Sequence, residues 1–187
     1  MSFDIEMATK ERVLEEYLVA GARLRDPVAM TDLVRLRGPR LLVHATRLLG
    51  NREEAQDAVQ EAWVEIFRNL NGLRADAAFP AWATRIVTRR CARIISGNQR
   101  TRKIAEELTP ITETEVETPS DDFKLVQEAI AGLPPQQAAA VALFYLEEMS
   151  LSEVSVALDV PIGTVKSRLS LARERLKAQL KGAFDDQ

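Results

Sequence analysis

One cysteine, one histidine and an aromatic fraction of 5% leave this 187-residue chain little with which to do redox, metal or ring chemistry. Cys91 has no partner for an internal disulfide, so nothing in the sequence calls for an oxidising compartment. His44 and Cys91 both stand in apolar helical surroundings with no residues at metal-ligand spacing. Core positions are therefore expected for both, and neither a metal site nor a cofactor. No apolar run approaches the roughly 18 residues of a membrane-spanning helix, and Asp4 and Glu6 stand where a secretion signal would have its apolar centre. A cytoplasmic protein without a membrane span is expected. No nucleophile is paired with a base and no glycine-rich phosphate loop occurs, so an enzyme is not expected and no catalytic residue is proposed.

What is abundant is Ala, Leu, Arg and Glu, a composition that favours helices and predicts an all-α fold. The net charge of −3 conceals strong partition along the chain. Residues 73–103 hold eight basic groups against Asp76 alone, residues 104–128 hold eight acidic groups against Lys124 alone, and positions 166–181 hold six basic groups against Glu174. Two basic segments are thus separated by an acidic one, a pattern that fits a nucleic-acid binder as well as solvated helix faces. Amphipathic helical stretches are expected near 10–24, 28–49, 53–70 and 78–96, with a kink or break at Gly38-Pro39. Between Arg100 and Asp122 the chain is rich in Thr, Glu and Pro and lacks a sustained apolar period, so it reads as a flexible acidic linker. Helical periodicity resumes near 122–131, 135–147, 151–158 and 163–181. Two small helical domains follow, at 10–98 and 122–182, joined by residues 99–121.

The strongest local pattern lies in the second domain. Ser150, followed three residues later by Glu153, forms a capping box; Val154, Ala157 and Leu158 make one buried face, and Asp159 to Gly163 supplies a turn. In the next helix Val165, Leu169, Ala172 and Leu176 recur at i, i+4, i+7 and i+11, which commits one side to a core and leaves Lys166, Ser167 and Ser170 outside. This is a helix-turn-helix, and those short polar and basic side chains sit at the helix end that enters a major groove.

The run LPPQQAAAVALFYLEEMSLSEVSVALDVPIGTVKSRLSLARERLKAQL closely resembles the C-terminal promoter-binding domain of extracytoplasmic-function sigma factors of bacterial RNA polymerase, GTVKSRL and ARERL being its most specific parts. GNREEAQDAVQEAWVEIFRNL and AFPAWATRIVTRRCARI resemble the N-terminal domain of the same family, in the right order and spacing. The resemblance implies a subunit that binds core RNA polymerase and recognises promoter DNA at its −35 and −10 elements, under the control of an anti-sigma factor; it leaves the relative arrangement of the two domains in the free chain open. It implies −35 contacts at Gly163, Thr164, Lys166, Ser167, Arg168, Ser170, Leu171 and Arg173. It implies −10 contacts at Arg74, Phe79, Trp82, Arg85, Arg89 and Arg93, the loop Asn71 to Ala78 holding a base flipped out of melted DNA. Asp57, Gln60, Glu61 and Val64 are implied as the core-polymerase face. Departures from the family pattern are Arg90, where Asn is common, Ala77-Ala78 in place of a more polar pair, and Ser170-Leu171 in place of an aromatic and an Arg. The promoter sequence is therefore not carried over from any relative.

The residues themselves agree with these roles without deciding them. Ala58, Ala62, Ile66 and Leu70, widened by Val59, Trp63 and Phe67, form a buried stripe that leaves Asp57 and Glu61 outside. Those paired carboxylates lack the third ligand a metal site needs. Arg85, Arg89 and Arg93 fall within about 80° of one another on a helix. Trp82 lies within that stripe, opposite the apolar side of Phe79, Ala83, Ile86, Val87, Cys91 and Ile94. Guanidinium groups beside an aromatic ring suit a separated strand, although a helical Trp is equally well a core residue. Two other readings remain: a sigma-like decoy that sequesters an anti-sigma factor, which has no need of the exposed arginines, and a dimeric helix-turn-helix repressor, which has no need of the Asp57 face.

Overall fold

The computed structural model describes residues 2–102, 129–130 and 132–185, and among them the fold is all-α. The first unit comprises α1 (Ser2–Arg23), α2 (Pro27–Leu49), α3 (Arg52–Asn69) and α4 (Phe79–Arg102), with short 3-10 turns at Leu70–Gly72 and Asp76–Ala78. Each junction has a local cause. Arg25 takes a left-handed conformation (φ 62°), and the Asp26 side chain then accepts from the Val28 amide at 2.9 Å to start α2. Gly21 lets α1 and α2 approach closely, since a Cβ there would lie 2.7 Å from that of Ala29. Gly50 ends α2 at φ 69°, and the Asn51 side chain caps α3 by accepting from the amides of Glu53 and Glu54.

Where a kink or break is expected, at Gly38-Pro39, no break occurs: α2 runs through Pro39. Pro39 and Arg35, whose carbonyl loses its helical donor, both lie on the exposed side, open to solvent. The inner side carries Leu33, Arg37, Leu41, His44 and Ala45, and its burial holds the helix together. The first core gathers Val19, Leu33, Leu41, Ala62, Ile66, Phe79 and Val87 from all four helices. The expected end of this domain at 98 falls four residues short of the end of α4. Residues 103–128 lie outside the described residues, and with them most of the linker expected at 99–121 and of the helix expected at 122–131; residues 129–130 are helical.

The second unit comprises α5 (Pro135–Val141), a π-helical turn (Ala142–Leu146), α6 (Leu151–Leu158) and α7 (Ile162–Asp185). The helix expected over 135–147 therefore changes type at Ala142, where the widened turn leads into Glu147 and the left-handed Glu148 (φ 52°). Ser150 and Glu153 form both halves of the expected capping box. Val154, Ala157, Leu158, Val165, Leu169 and Ala172 are all buried, and Leu176 partly. The two units pack on each other: Ala81 of α4 belongs to the second core, and Leu48 of α2 touches both.

Candidate nucleic-acid interface

Helix α4 has more faces than its sequence pattern reveals. Phe79, Ala83, Ile86, Val87 and Cys91 point into the first core. Ala81 and Thr84 are also buried, and with Arg85, Thr88 and Arg89 they form a further face turned toward α6. The Asp159 carboxylate, at the left-handed cap of α6 (φ 55°), accepts from the Nε groups of Arg85 and Arg89 at 2.9 Å each. The hydrogen bond from Arg89, with Arg85 beside it, holds Asp159 below the usual carboxylate range. A depressed carboxylate stabilises the closed arrangement above its ordinary titration and is lost as pH falls through it, so the cluster is fully charged near neutrality. Two of the four expected −10 arginines, Arg85 and Arg89, thus face an internal anion, while Arg93 and Arg74 are exposed.

Phe79, expected among the −10 contacts, is instead a wholly buried core side chain packed between the tilted rings of Trp63 and Trp82. Its ring has no face left for a base. Trp82 is half-buried: it leans on Phe79 with ring centroids 6.2 Å apart and keeps part of its surface in solvent.

Beneath the arginines a buried polar chain crosses the seam. The Thr88 hydroxyl lies 2.9 Å from the Thr84 carbonyl, 2.7 Å from the Ala157 carbonyl and 2.9 Å from His44 Nε2. Both carbonyls only accept, so Thr88 donates to one of them and His44 must donate from Nε2. His44 is therefore the neutral Nε2–H tautomer, with Nδ1 left without a partner. Burial, with Arg47 nearby, pushes its pKa down to about 3. His44 is a core residue as expected, and so is Cys91, whose thiol burial pushes up to about 12 and thereby keeps unreactive.

The seam has a consistent polarity. Arg37 of α2 is buried, grips Glu15 through two bonds (2.7 and 3.0 Å) and reaches Glu147 of the second unit at 2.9 Å. Burial alone would lower its pKa, but the two carboxylates outweigh this and raise it. Arg40 stands 3.7 Å from the same Glu147, and Arg12 of α1 stands 3.8 Å from Glu153. Across every described ion pair of the seam the first unit supplies arginine and the second supplies carboxylate. Sequence reasoning missed this arrangement, because neither Arg37 nor Glu147 carries a local signal for a partner more than a hundred positions away.

On α3, Asp57, Gln60, Glu61 and Val64 are all exposed, Val64 at 58% despite being apolar. Arg90 of α4, one of the departures from the family pattern, pairs with Glu61 and with Glu65 at 2.8 Å, tying that face to α4. On α7, Lys166, Ser167, Ser170, Leu171 and Arg173 point outward, with Gly163 exposed and Thr164 half-buried at the helix start. Ser167 donates to the Gly163 carbonyl at 3.0 Å. Arg168 departs from the expected surface: it is half-buried and donates to Gln136 of α5 at 2.6 Å, so it braces the domain in this conformation. No group of side chains able to hold a metal ion occurs among the described residues. No described helix is long and apolar enough to cross a membrane.

Comparison with known proteins agrees with this division. Residues 20–101 match the family described as Sigma-70 region 2, and residues 123–176 match Sigma-70, region 4. The ECF RNA polymerase sigma factor SigM of Mycobacterium tuberculosis is 34% identical over 169 residues, covering 88% of this chain and 83% of its own. SigW of Bacillus subtilis is 27% identical over 191 residues, covering 95% and 99%. Among solved structures, the sigma factor RpoE in complex with the anti-sigma factor NepR from Bartonella quintana superposes with a TM-score of 0.68 at 22% identity, over 81% of this chain and 96% of that one. CnrH, solved with the cytosolic domain of CnrY, gives 0.63 at 21% identity, over 90% and 98%. With a helix-turn-helix, an arginine-lined helix and a separate acidic face each in place, the chain belongs to the extracytoplasmic-function sigma factors, the subunits that direct promoter-specific initiation by RNA polymerase.

Proposed function

We propose that this chain docks on core RNA polymerase through Asp57, Gln60, Glu61 and Val64, seats the N-terminal half of α7 in the major groove of the −35 element, and holds melted −10 DNA along Arg74, Trp82, Arg85, Arg89 and Arg93. It acts in the cytoplasm, without chemistry of its own. The observation that carries this reading is the division of α7: Val165, Leu169 and Ala172 are buried while Lys166, Ser167, Ser170 and Arg173 face solvent at the end a recognition helix inserts. The Arg85–Asp159 and Arg89–Asp159 pairs add a condition. Both arginines must leave Asp159 before they can take phosphate, so the two units separate when the chain engages a promoter. A cytosolic anti-sigma partner that keeps them together would keep the −10 arginines occupied, as NepR accompanies its own sigma factor.

The test is transcription in vitro with core polymerase and a genomic promoter library, comparing wild type with Asp57→Arg/Glu61→Arg. Both side chains are exposed, and Arg90 keeps Glu65, so the double variant should fold, fail to assemble holoenzyme and give no promoter-specific transcripts. Wild-type assembly by a folded double variant would refute the docking face.

A further inference from the structure

The loop between α3 and α4 is built in two layers. Leu70 and Leu73 turn inward to the first core, whereas Asn71, Gly72, Arg74, Ala75, Ala77 and Ala78 are exposed. Apolar anchors at two points fix where the loop sits but leave the backbone of residues 74–78 to be set by its own short turn, in which the Ala78 amide donates to the Ala75 carbonyl at 3.0 Å. The Phe79 amide at the start of α4 donates to the Asp76 carbonyl, and a further tie comes from α1. Arg23, in the last turn of α1, donates from Nη2 to the Leu73 carbonyl, and the same nitrogen lies 2.9 Å from Asp76 Oδ1. Both side chains are about 70% covered, since 28% of the Arg23 side chain and 30% of the Asp76 side chain are exposed. Arg23 Nε and Asp76 Oδ1 are both buried and make no further hydrogen bond.

We propose that Arg23 is a positioning residue for −10 recognition: its guanidinium sets the backbone of residues 73–78 and so shapes the surface that receives an unstacked base. This rests on the reading above that the loop touches melted −10 DNA. A base held outside the helical stack is bound by short contacts whose geometry must be maintained within fractions of an ångström, and a loop fixed on one side by a half-buried ion pair pays less ordering entropy when the base arrives. Arg23 itself does not touch DNA in this scheme. Its effect is confined to the loop, while the −35 face on α7 lies in the other unit.

The experiment uses holoenzyme and two probes from one promoter that it transcribes: a single-stranded non-template −10 oligonucleotide, with 2-aminopurine at the position whose fluorescence rises on binding, and a −35 duplex. Arg23→Met keeps the bulk of the stem and removes the charge. It should weaken the single-strand probe by about tenfold, as expected for losing a charge-assisted bond, and lower the 2-aminopurine signal at saturation. Affinity for the −35 duplex should stay unchanged. Arg23→Lys, which can still reach Asp76 as a point charge, should restore most of both, and Asp76→Asn should resemble Arg23→Met without adding to it in the double variant. Wild-type affinity and wild-type fluorescence in a folded Arg23→Met holoenzyme would overturn the inference. Equal loss on both probes, with no rescue by Lys, would overturn it as well, by making the residue merely structural. If wild-type holoenzyme shows no base preference on the single strand, the −10 reading of the loop fails, independently of Arg23.

Discussion

The two surfaces expected to meet promoter DNA are left in opposite states by the same fold. On α7 the outward residues Lys166, Ser170 and Arg173 are open to solvent and have no bond across the seam. On α4, Arg85 and Arg89 are both bound to Asp159, and only Arg93 of that stripe stands clear. The difference follows from where each helix lies. α7 packs its apolar stripe within its own unit, whereas α4 lies between the two cores and uses a second side of itself, Ala81, Thr84 and Thr88, as the seam. A helix that serves two cores has little surface left that is free of partners, and its charges are drawn into pairs.

The largest effect that would break this comparison comes from the arginines themselves. Replacing Arg85, Arg89 and Arg93 with Gln, which keeps helix propensity close to that of Arg, should weaken holoenzyme binding to single-stranded −10 DNA by about a hundredfold at low salt and lower its salt slope by about 2, at roughly 0.7 per phosphate contact. Binding to a −35 duplex should keep its slope. A salt titration of both probes decides it, and an unaltered single-strand slope in the folded triple variant would return the stripe to a seam with no role at the promoter.

The next effect sharpens what holds the seam. His44 stays unprotonated in the fold until about pH 3, whereas in the unfolded chain it takes a proton near pH 6.5. Between those limits the unfolded state binds more protons, so stability falls as the solution is acidified through that window. At about pH 5 the loss from this group alone is on the order of 2 kcal/mol relative to neutral pH. Urea unfolding at both pH values should show that difference in wild type and lose most of it in His44→Gln, which can still donate to Thr88. An identical acid sensitivity in the variant would place its origin among the carboxylates instead.

The smallest effect concerns the rim. Asp159→Asn keeps a residue that tolerates the left-handed turn but removes the charge that holds Arg85 and Arg89. The three side chains are 38–50% exposed, so solvent screens the pairs and each contributes no more than about 1 kcal/mol. The free chain should bind single-stranded DNA about threefold more tightly, because fewer arginines are occupied, by the same modest energy. Fluorescence anisotropy on the chain without polymerase measures this directly. An unchanged affinity would mean that α4 and α7 are equally accessible in the closed chain.

Much of the site was legible in the sequence where a local period or cap expresses it. The capping box at Ser150 and Glu153, the buried stripe of α7 and the exposed Asp57–Val64 face each follow from spacing along one helix. Trp82 and Phe79 show where that reasoning stops. Both belong to the same turn of α4, yet Phe79 is enclosed by Trp63 and Trp82 whereas Trp82 keeps a face in water, a distinction set by what packs against the helix. Pro39 failed as a breaker for a related reason: helix continuity was decided by the burial of Leu33, Arg37 and Leu41 on the opposite side.

The sequence by itself determined the two helical units, the capping box at Ser150 and Glu153, the helix-turn-helix and the basic and acidic faces of its helices, since all of these arise from interactions within a few turns of one chain segment. Only the tertiary structure decided which charges are free. Arg37 with Glu147, Arg85 and Arg89 with Asp159, and Arg23 with Asp76 each join groups 53 to 110 positions apart. Ion pairing depends on distance and local dielectric, quantities that periodicity along a chain does not encode and that packing alone sets.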